Sequence, residues 1–116
     1  MKLPEAGRAA ISREKITGYL LSRTHQQGRY KAAGFIRFGF SPERWEILAA
    51  ALRSHVAQHE VSTVAATPYG SRYVVDGILE TPDGRKPTVR SVWFIGTGEA
   101  VPRLVTAYFL DRREGE

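Results

Sequence analysis

Residues 86–110, KPTVRSVWFIGTGEAVPRLVTAYFL, form the densest run of strand-forming side chains in the chain. Thr88 to Ile95 is rich in β-branched and aromatic residues, residues 96–102 hold two glycines and a proline, and Arg103 to Leu110 again suits a pleated, half-buried surface. The stretch reads as two strands and a loop. Strict alternation puts Val89, Ser91, Trp93 and Ile95 on one face and Arg90, Val92 and Phe94 on the other. A strand that only filled a core would need neither the hydroxyl of Ser91 nor the guanidinium of Arg90, so both are candidates for function.

Working backward from this pair, Ser62 to Pro68 and Ser71 to Thr81 read as two more strands joined at Tyr69 and Gly70. Tyr73, Val75 and Leu79 share one face of the second, and Pro82, Asp83 and Gly84 make a tight turn into the third. The N-terminal half is helical in pattern. Ser12 can cap a helix over residues 13–22 whose apolar positions are Ile16, Tyr19 and Leu20. Residues 23–30, RTHQQGRY, have no apolar period and read as a loop carrying His25 and Arg29. A short helix follows from Lys31 to about Phe38, ending near Gly39. Lys31 then lies in a first turn, where a cation opposes the helix dipole. Ser41, Pro42 and Glu43 signal a third helix, reaching about His59, with Trp45, Leu48, Ala49, Leu52 and Val56 as its buried stripe. Helices followed by strands predict an α+β fold, N-terminal helices packed on a four-stranded antiparallel sheet, in a single domain over residues 1–116.

Composition narrows the chemistry. There are no cysteines, which excludes disulfides, thiolate metal sites and a cysteine nucleophile and fits a reducing, cytoplasmic setting. No stretch approaches the roughly 18 apolar residues of a membrane span, and the start lacks the apolar run of about 7–15 residues of a signal peptide, so no membrane partner is expected. Seventeen Lys plus Arg against twelve Asp plus Glu leave a formal charge of +5, suited to RNA, DNA or an acidic protein, although a solvated basic surface would give the same balance.

His55 and His59 are four apart on the third helix, a zinc-like spacing, but no acid or cysteine completes a ligand set. They read as partly exposed residues at the edge of the core stripe. Asp76 and Glu80, on the polar face of the second strand beside Arg72, read as a solvated charge ladder. No glycine-rich phosphate loop is present, and no metal or other cofactor is expected. What remains is a set of bases and hydroxyls without acids: His25 and Lys31 from the helical half, and Arg90, Ser91, Trp93, Arg103 and Thr106 from the sheet. Such a set suits cleavage of RNA, in which the substrate's own 2′-hydroxyl attacks and the protein supplies proton transfer and donors for the phosphorane charge. His25 would move protons, Lys31 and Arg90 would meet the phosphate, Ser91 and Thr106 would complete the pocket, and Trp93 could stack on a base. The bland alternative for each stands beside it: Trp93 as core, Ser91 and Thr106 as ordinary strand residues, His25 as plain surface.

The order of the pieces carries a resemblance. YLLS, THQQGRYKAAGF, YGSRYVVDGILETPDGRKPTVRSVWFI and PRLVTAYFL together resemble a family of small bacterial domains of unknown function found alone and at the ends of polymorphic toxins. The family pattern falls here on His25, Gly28, Lys31, Phe35, Gly84, Arg85, Val89, Arg90, Ser91, Trp93 and the run from Pro102 through Arg103 to Thr106. The chain departs from it at Gln27 and Tyr30, where members often have proline and a second basic residue. Ser91-Val92-Trp93 is similar to a strand of colicin D, and the wider likeness is to the barnase/EndoU/colicin D/RelE-like ribonuclease toxins. This implies a metal-independent endoribonuclease, with transfer RNA as a possible substrate, the catalytic set His25, Lys31, Arg90, Ser91 and Thr106, and substrate contacts from Trp93, Arg103 and Arg29. It also implies an acidic inhibitor of antitoxin or immunity type as partner. The open alternative is a non-enzymatic domain that binds an acidic protein or RNA.

Overall fold

The computed structural model describes residues 1–22, 24 and 29–110, with Arg29 and Tyr30 as backbone only. His25 therefore lies outside the described residues, as does the side chain of Arg29. The element order is helical first and strand last, and the strands β1 (Val61–Thr67), β2 (Gly70–Ile78), β3 (Thr88–Gly96) and β4 (Arg103–Phe109) form one antiparallel meander in the order β1-β2-β3-β4. The expected α+β architecture is observed.

The first helix starts where Ser12 caps it. The Ser12 hydroxyl accepts a hydrogen bond from the Lys15 amide at 3.0 Å. After a single α turn, α1 (Arg13–Lys15), the chain widens into a π-helical turn, Ile16–Leu20, closed by the Leu21 amide donating to the Ile16 carbonyl at 2.7 Å. Such turns are rare and concentrate at functional sites. Here the turn buries Ile16, Leu20 and Leu21 while leaving Tyr19 half-buried.

Helix α2 (Arg29–Arg37) begins two residues before the expected Lys31. It ends as the sequence predicts: Gly39 takes φ 106°, its amide donates to Ile36, and the Phe40 amide donates back to the Phe35 carbonyl. This paired closure satisfies carbonyls that the helix would leave open, and the buried rings of Phe35 and Phe40 meet edge to face at 6.1 Å above it. Helix α3 (Trp45–Gln58) follows a 3₁₀ turn, Pro42–Arg44, and Ser41 makes no side-chain capping bond. Its stripe is as expected, with Leu48, Ala49, Leu52 and Val56 buried and Trp45 partly so.

One histidine differs from expectation. His55 is buried within the same stripe, its ring beside backbone carbonyls of β2: Nδ1 lies 3.1 Å from the Ile78 oxygen and Nε2 3.3 Å from that of Val75, and the neutral ring donates to one of the two. His59 stacks on it at 5.3 Å and hydrogen-bonds the His55 carbonyl.

The register assigns the two faces of the sheet. Val75, Val89, Ser91, Trp93, Leu104 and Ala107 are buried toward the helices. The opposite face carries the cross-strand rows Arg72–Phe94–Arg103, Val74–Val92–Thr106 and Asp76–Arg90–Tyr108. A β-bulge makes this sorting possible on β4. Val92 pairs with Thr106 and Trp93 with Leu104, so Val105 is an extra residue without a partner. Strict alternation would have put Leu104 and Ala107 on opposite faces; the bulge turns both inward and sends Thr106 and Tyr108 outward.

Candidate functional site

Three local features bring the helical half against the outer edge of the sheet at β4. Ala10 pairs in parallel with the start of β4, its amide donating to Pro102 at 2.8 Å and its carbonyl accepting from Leu104 at 3.0 Å. That fixes the residues leading into α1 beside the strand. Gly34 on α2 lies against the Phe109 ring so closely that a Cβ there would stand 2.5 Å from it, so any larger residue would have to displace that ring or lift α2 from β4. Phe35 and Phe38 then pack on Phe109 at 4.7 and 5.2 Å between ring centroids. The outcome is that Lys31, on the first turns of α2, overhangs the β4 edge.

At that edge the Tyr19 hydroxyl meets the Thr106 hydroxyl at 3.2 Å, a contact between residues 87 positions apart. Lys15 Nζ lies 5.1 Å and Lys31 Nζ 5.5 Å from the centre of the Tyr19 ring, and Lys31 is also 5.8 Å from the ring of Tyr108. Burial raises the Tyr19 phenol, but its hydrogen bonds with Thr106 and Lys31 and the charges of Lys31 and Lys15 outweigh that, and the net effect lowers it below its ordinary value of 10.0. Beside these groups opens a cavity of about 590 Å³ walled by Ser12, Glu14, Lys15, Tyr19, Val105 and Thr106. Its wall offers one ammonium group, Lys15, the two hydroxyls in contact and the Glu14 carboxylate, and Lys31 stands on the Tyr19 ring beside it, a set that suits an anion. A second cavity of about 420 Å³, between Leu21, Ile36, Phe40 and Pro42, is lined among the described residues by hydroxyls and Glu43 and by no cation.

Of the residues expected from sequence, Lys31 and Thr106 thus come together, and the residue that joins them, Tyr19, shows in the sequence only as an apolar position of a helix. Arg90 stands one step inward. It is directly opposite Asp76, to which Nε and a terminal nitrogen both donate at 2.8 Å, and the Tyr108 phenol is its further hydrogen-bond neighbour. This fork holds the Asp76 carboxyl below its ordinary value and the guanidinium above its own. Asp76 is therefore no member of a solvated ladder with Arg72 and Glu80; its partner is Arg90. The pair remains partly open to solvent, with side chains 38% and 28% exposed.

Ser91 and Trp93 are corrected more sharply. Both are fully buried, and the indole N–H donates to the Ser91 hydroxyl at 2.8 Å. The two residues point inward from one face of β3, so the hydroxyl satisfies the polar end of a core tryptophan and the ring has no surface on which a base could stack. Arg103 lies at the far end of β4, ion-paired with Glu99 at 3.4 Å and 5.3 Å from the Phe94 ring. Arg85, of the Gly-Arg motif, also acts structurally, since it pairs with Asp83, lies 4.3 Å from the Phe38 ring and donates to the Arg37 carbonyl at the end of α2. Among the described residues, no group of three His, Asp or Glu is placed to hold a metal ion, and no helix is long and apolar enough to cross a membrane.

Comparison with known proteins places this geometry in context. A chain of the contact-dependent growth inhibition toxin–immunity protein complex from Klebsiella pneumoniae 342 superposes with a TM-score of 0.66 at 14% identity, over 86% of this chain and 98% of that one. At that identity the likeness is one of fold. No curated protein sequence matches. The profile of the domain of unknown function DUF6883 matches residues 2–111, nearly the whole chain, and the protein therefore belongs to the DUF6883 family.

Proposed function

We propose that this chain is a metal-independent endoribonuclease of toxin type acting on transfer RNA. The observation that carries the proposal is the convergence of Lys31 and Thr106 on Tyr19 beside an open cavity, with no carboxylate paired to either lysine there among the described residues. In this reading Lys31 and the Thr106 hydroxyl hold the scissile phosphate, Arg90 adds positive potential from the next row, and His25 takes the proton of the attacking 2′-hydroxyl. Ser91 and Trp93 support the strand from beneath, and Arg29 and Arg103 are the proposed contacts to the RNA backbone. The fold of a chain from a toxin–immunity complex supports the toxin reading, and the basic edge supports an acidic immunity-type partner that covers it in the cytoplasm of a producing cell.

The test is cleavage of transfer RNA by the purified protein in EDTA. Cleavage that survives EDTA and falls at least about 100-fold in His25→Ala is expected for general base catalysis. No cleavage, or undiminished cleavage by that variant, removes the mechanism.

The Asp76–Arg90 fork favours a second reading, a non-enzymatic domain that binds RNA or an acidic protein, because it commits one of the cations proposed for the phosphate to the sheet. Salt-dependent binding of transfer RNA without cleavage would select it.

A further inference from the structure

Tyr19 is not among the groups that the sequence marks for chemistry, yet it occupies the centre of the β4 edge. Its ring packs against the core and its hydroxyl emerges at the cavity, 3.2 Å from Thr106, between the ammonium groups of Lys15 and Lys31. A tyrosine that served packing alone would need one hydrogen-bond partner and no second cation. Two ammonium groups around one phenol stabilise its ionised form, which makes the neutral phenol a better proton donor. The π-helical turn that carries Tyr19 sets the ring at the edge while its neighbours Ile16 and Leu20 turn into the core.

We infer that Tyr19 is the general acid of the proposed ribonuclease. The inference rests on the function proposed above and adds the group that protonates the leaving 5′-oxygen. In the step, the 2′-oxygen forms a bond to phosphorus as the base of the reaction proposed above takes its proton, and the bond from phosphorus to the 5′-oxygen breaks. The Tyr19 phenol gives its proton to that oxygen. The products are a 2′,3′-cyclic phosphate and a free 5′-hydroxyl, and Tyr19 is left as a phenolate held by Lys31, Lys15 and the Thr106 hydroxyl until water restores the proton. The burial of the ring supports the same role, since a phenol fixed at its base loses little freedom on meeting the substrate. Glu14, which also lines the cavity, repels a phosphate and so favours its placement at the lysines.

The experiment compares wild type and Tyr19→Phe on transfer RNA and on an RNA oligonucleotide whose scissile 5′-oxygen is replaced by sulfur, a leaving group that needs no proton. Tyr19→Phe is expected to cut the oxygen substrate at least about 100-fold more slowly and the sulfur substrate at close to the wild-type rate. A second enzyme, with a fluorinated tyrosine at position 19, keeps the hydroxyl and is expected to move the alkaline limb of the pH–rate profile to lower pH. Should Tyr19→Phe fail to fold, that shift alone decides, and an unmoved limb overturns the inference. Equal loss on both substrates, or no loss on either, also overturns it while leaving the ribonuclease reading standing. If wild type cuts neither substrate, the ribonuclease reading fails and Tyr19 has no reaction to serve.

Discussion

Two sets of cations in this molecule are treated in opposite ways. Arg85, Arg90 and Arg103 each face a carboxylate, Asp83, Asp76 and Glu99 respectively. Lys15 and Lys31 at the β4 edge face phenol rings instead, and no carboxylate pairs with them among the described residues. The arginine pairs hold elements in place: Arg85 anchors the loop after β2 to the end of α2, and Arg90 locks β3 to β2. The Asp83 carboxyl is drawn down to about 2 by the Arg85 side chain and amide. An aromatic face attracts a cation without neutralising it, so the lysines keep a full charge to offer an anion. Charge that is already matched builds the scaffold; charge left over lies at the candidate site.

The largest expected effect tests the scaffold side where no charge is involved. Ser91→Ala removes the acceptor of the buried Trp93 indole and is expected to cost about 1–3 kcal/mol of stability, the range for stranding a buried donor. Urea unfolding measures it, and a change near zero would mean that the hydroxyl is not what satisfies the ring. The next effect is a pH dependence. Burial holds the His55 imidazole below its ordinary 6.5, against the pull of the Ile78 and Val75 carbonyls. The unfolded chain then takes the proton first, so this contribution is full above 6.5 and is lost as pH falls through that value toward the folded one. Unfolding free energies measured about one unit above and one unit below that value should show the fall, and His55→Gln should flatten it. The smallest effect separates the two cation sets directly. Arg90→Lys breaks the fork to Asp76 and should lower stability by under about 1 kcal/mol, since the pair is partly exposed, while leaving RNA affinity nearly untouched. Lys31→Gln should do the reverse, with stability within about 0.5 kcal/mol of wild type and loss of RNA binding or cleavage. Identical behaviour of the two variants would erase the distinction.

The sequence shows the layout of this fold because each element follows a local rule. Ser12 caps α1, Gly39 closes α2, and the alternation of β3 sends Val89, Ser91 and Trp93 inward together. The candidate site is legible only in part. Lys31 and Thr106 can be chosen by residue type, but Tyr19 meets Thr106 across 87 positions, and no local pattern reports such a contact. Ser91 and Trp93 carry a signal that points away from function: an indole N–H in a core needs an acceptor, and a serine two residues away on the same face is one. The phase of β4 is hidden by the residue that breaks its alternation, and the burial of His55 by the two backbone carbonyls that receive it.

That interruption in β4 bears on how the chain could be edited. Without Val105 the pattern is that of a plain strand, Leu104 inward, Thr106 outward, Ala107 inward. Losing one residue from a strand ordinarily turns every later side chain over, yet here the shorter strand would come into step with β3. Val105 is thus a place in β4 where an omission is written into the pairing, and removing it would flatten the cavity wall without touching the hydroxyls and ammonium groups around it. The shape of the pocket and its chemistry are, at this position, separately adjustable.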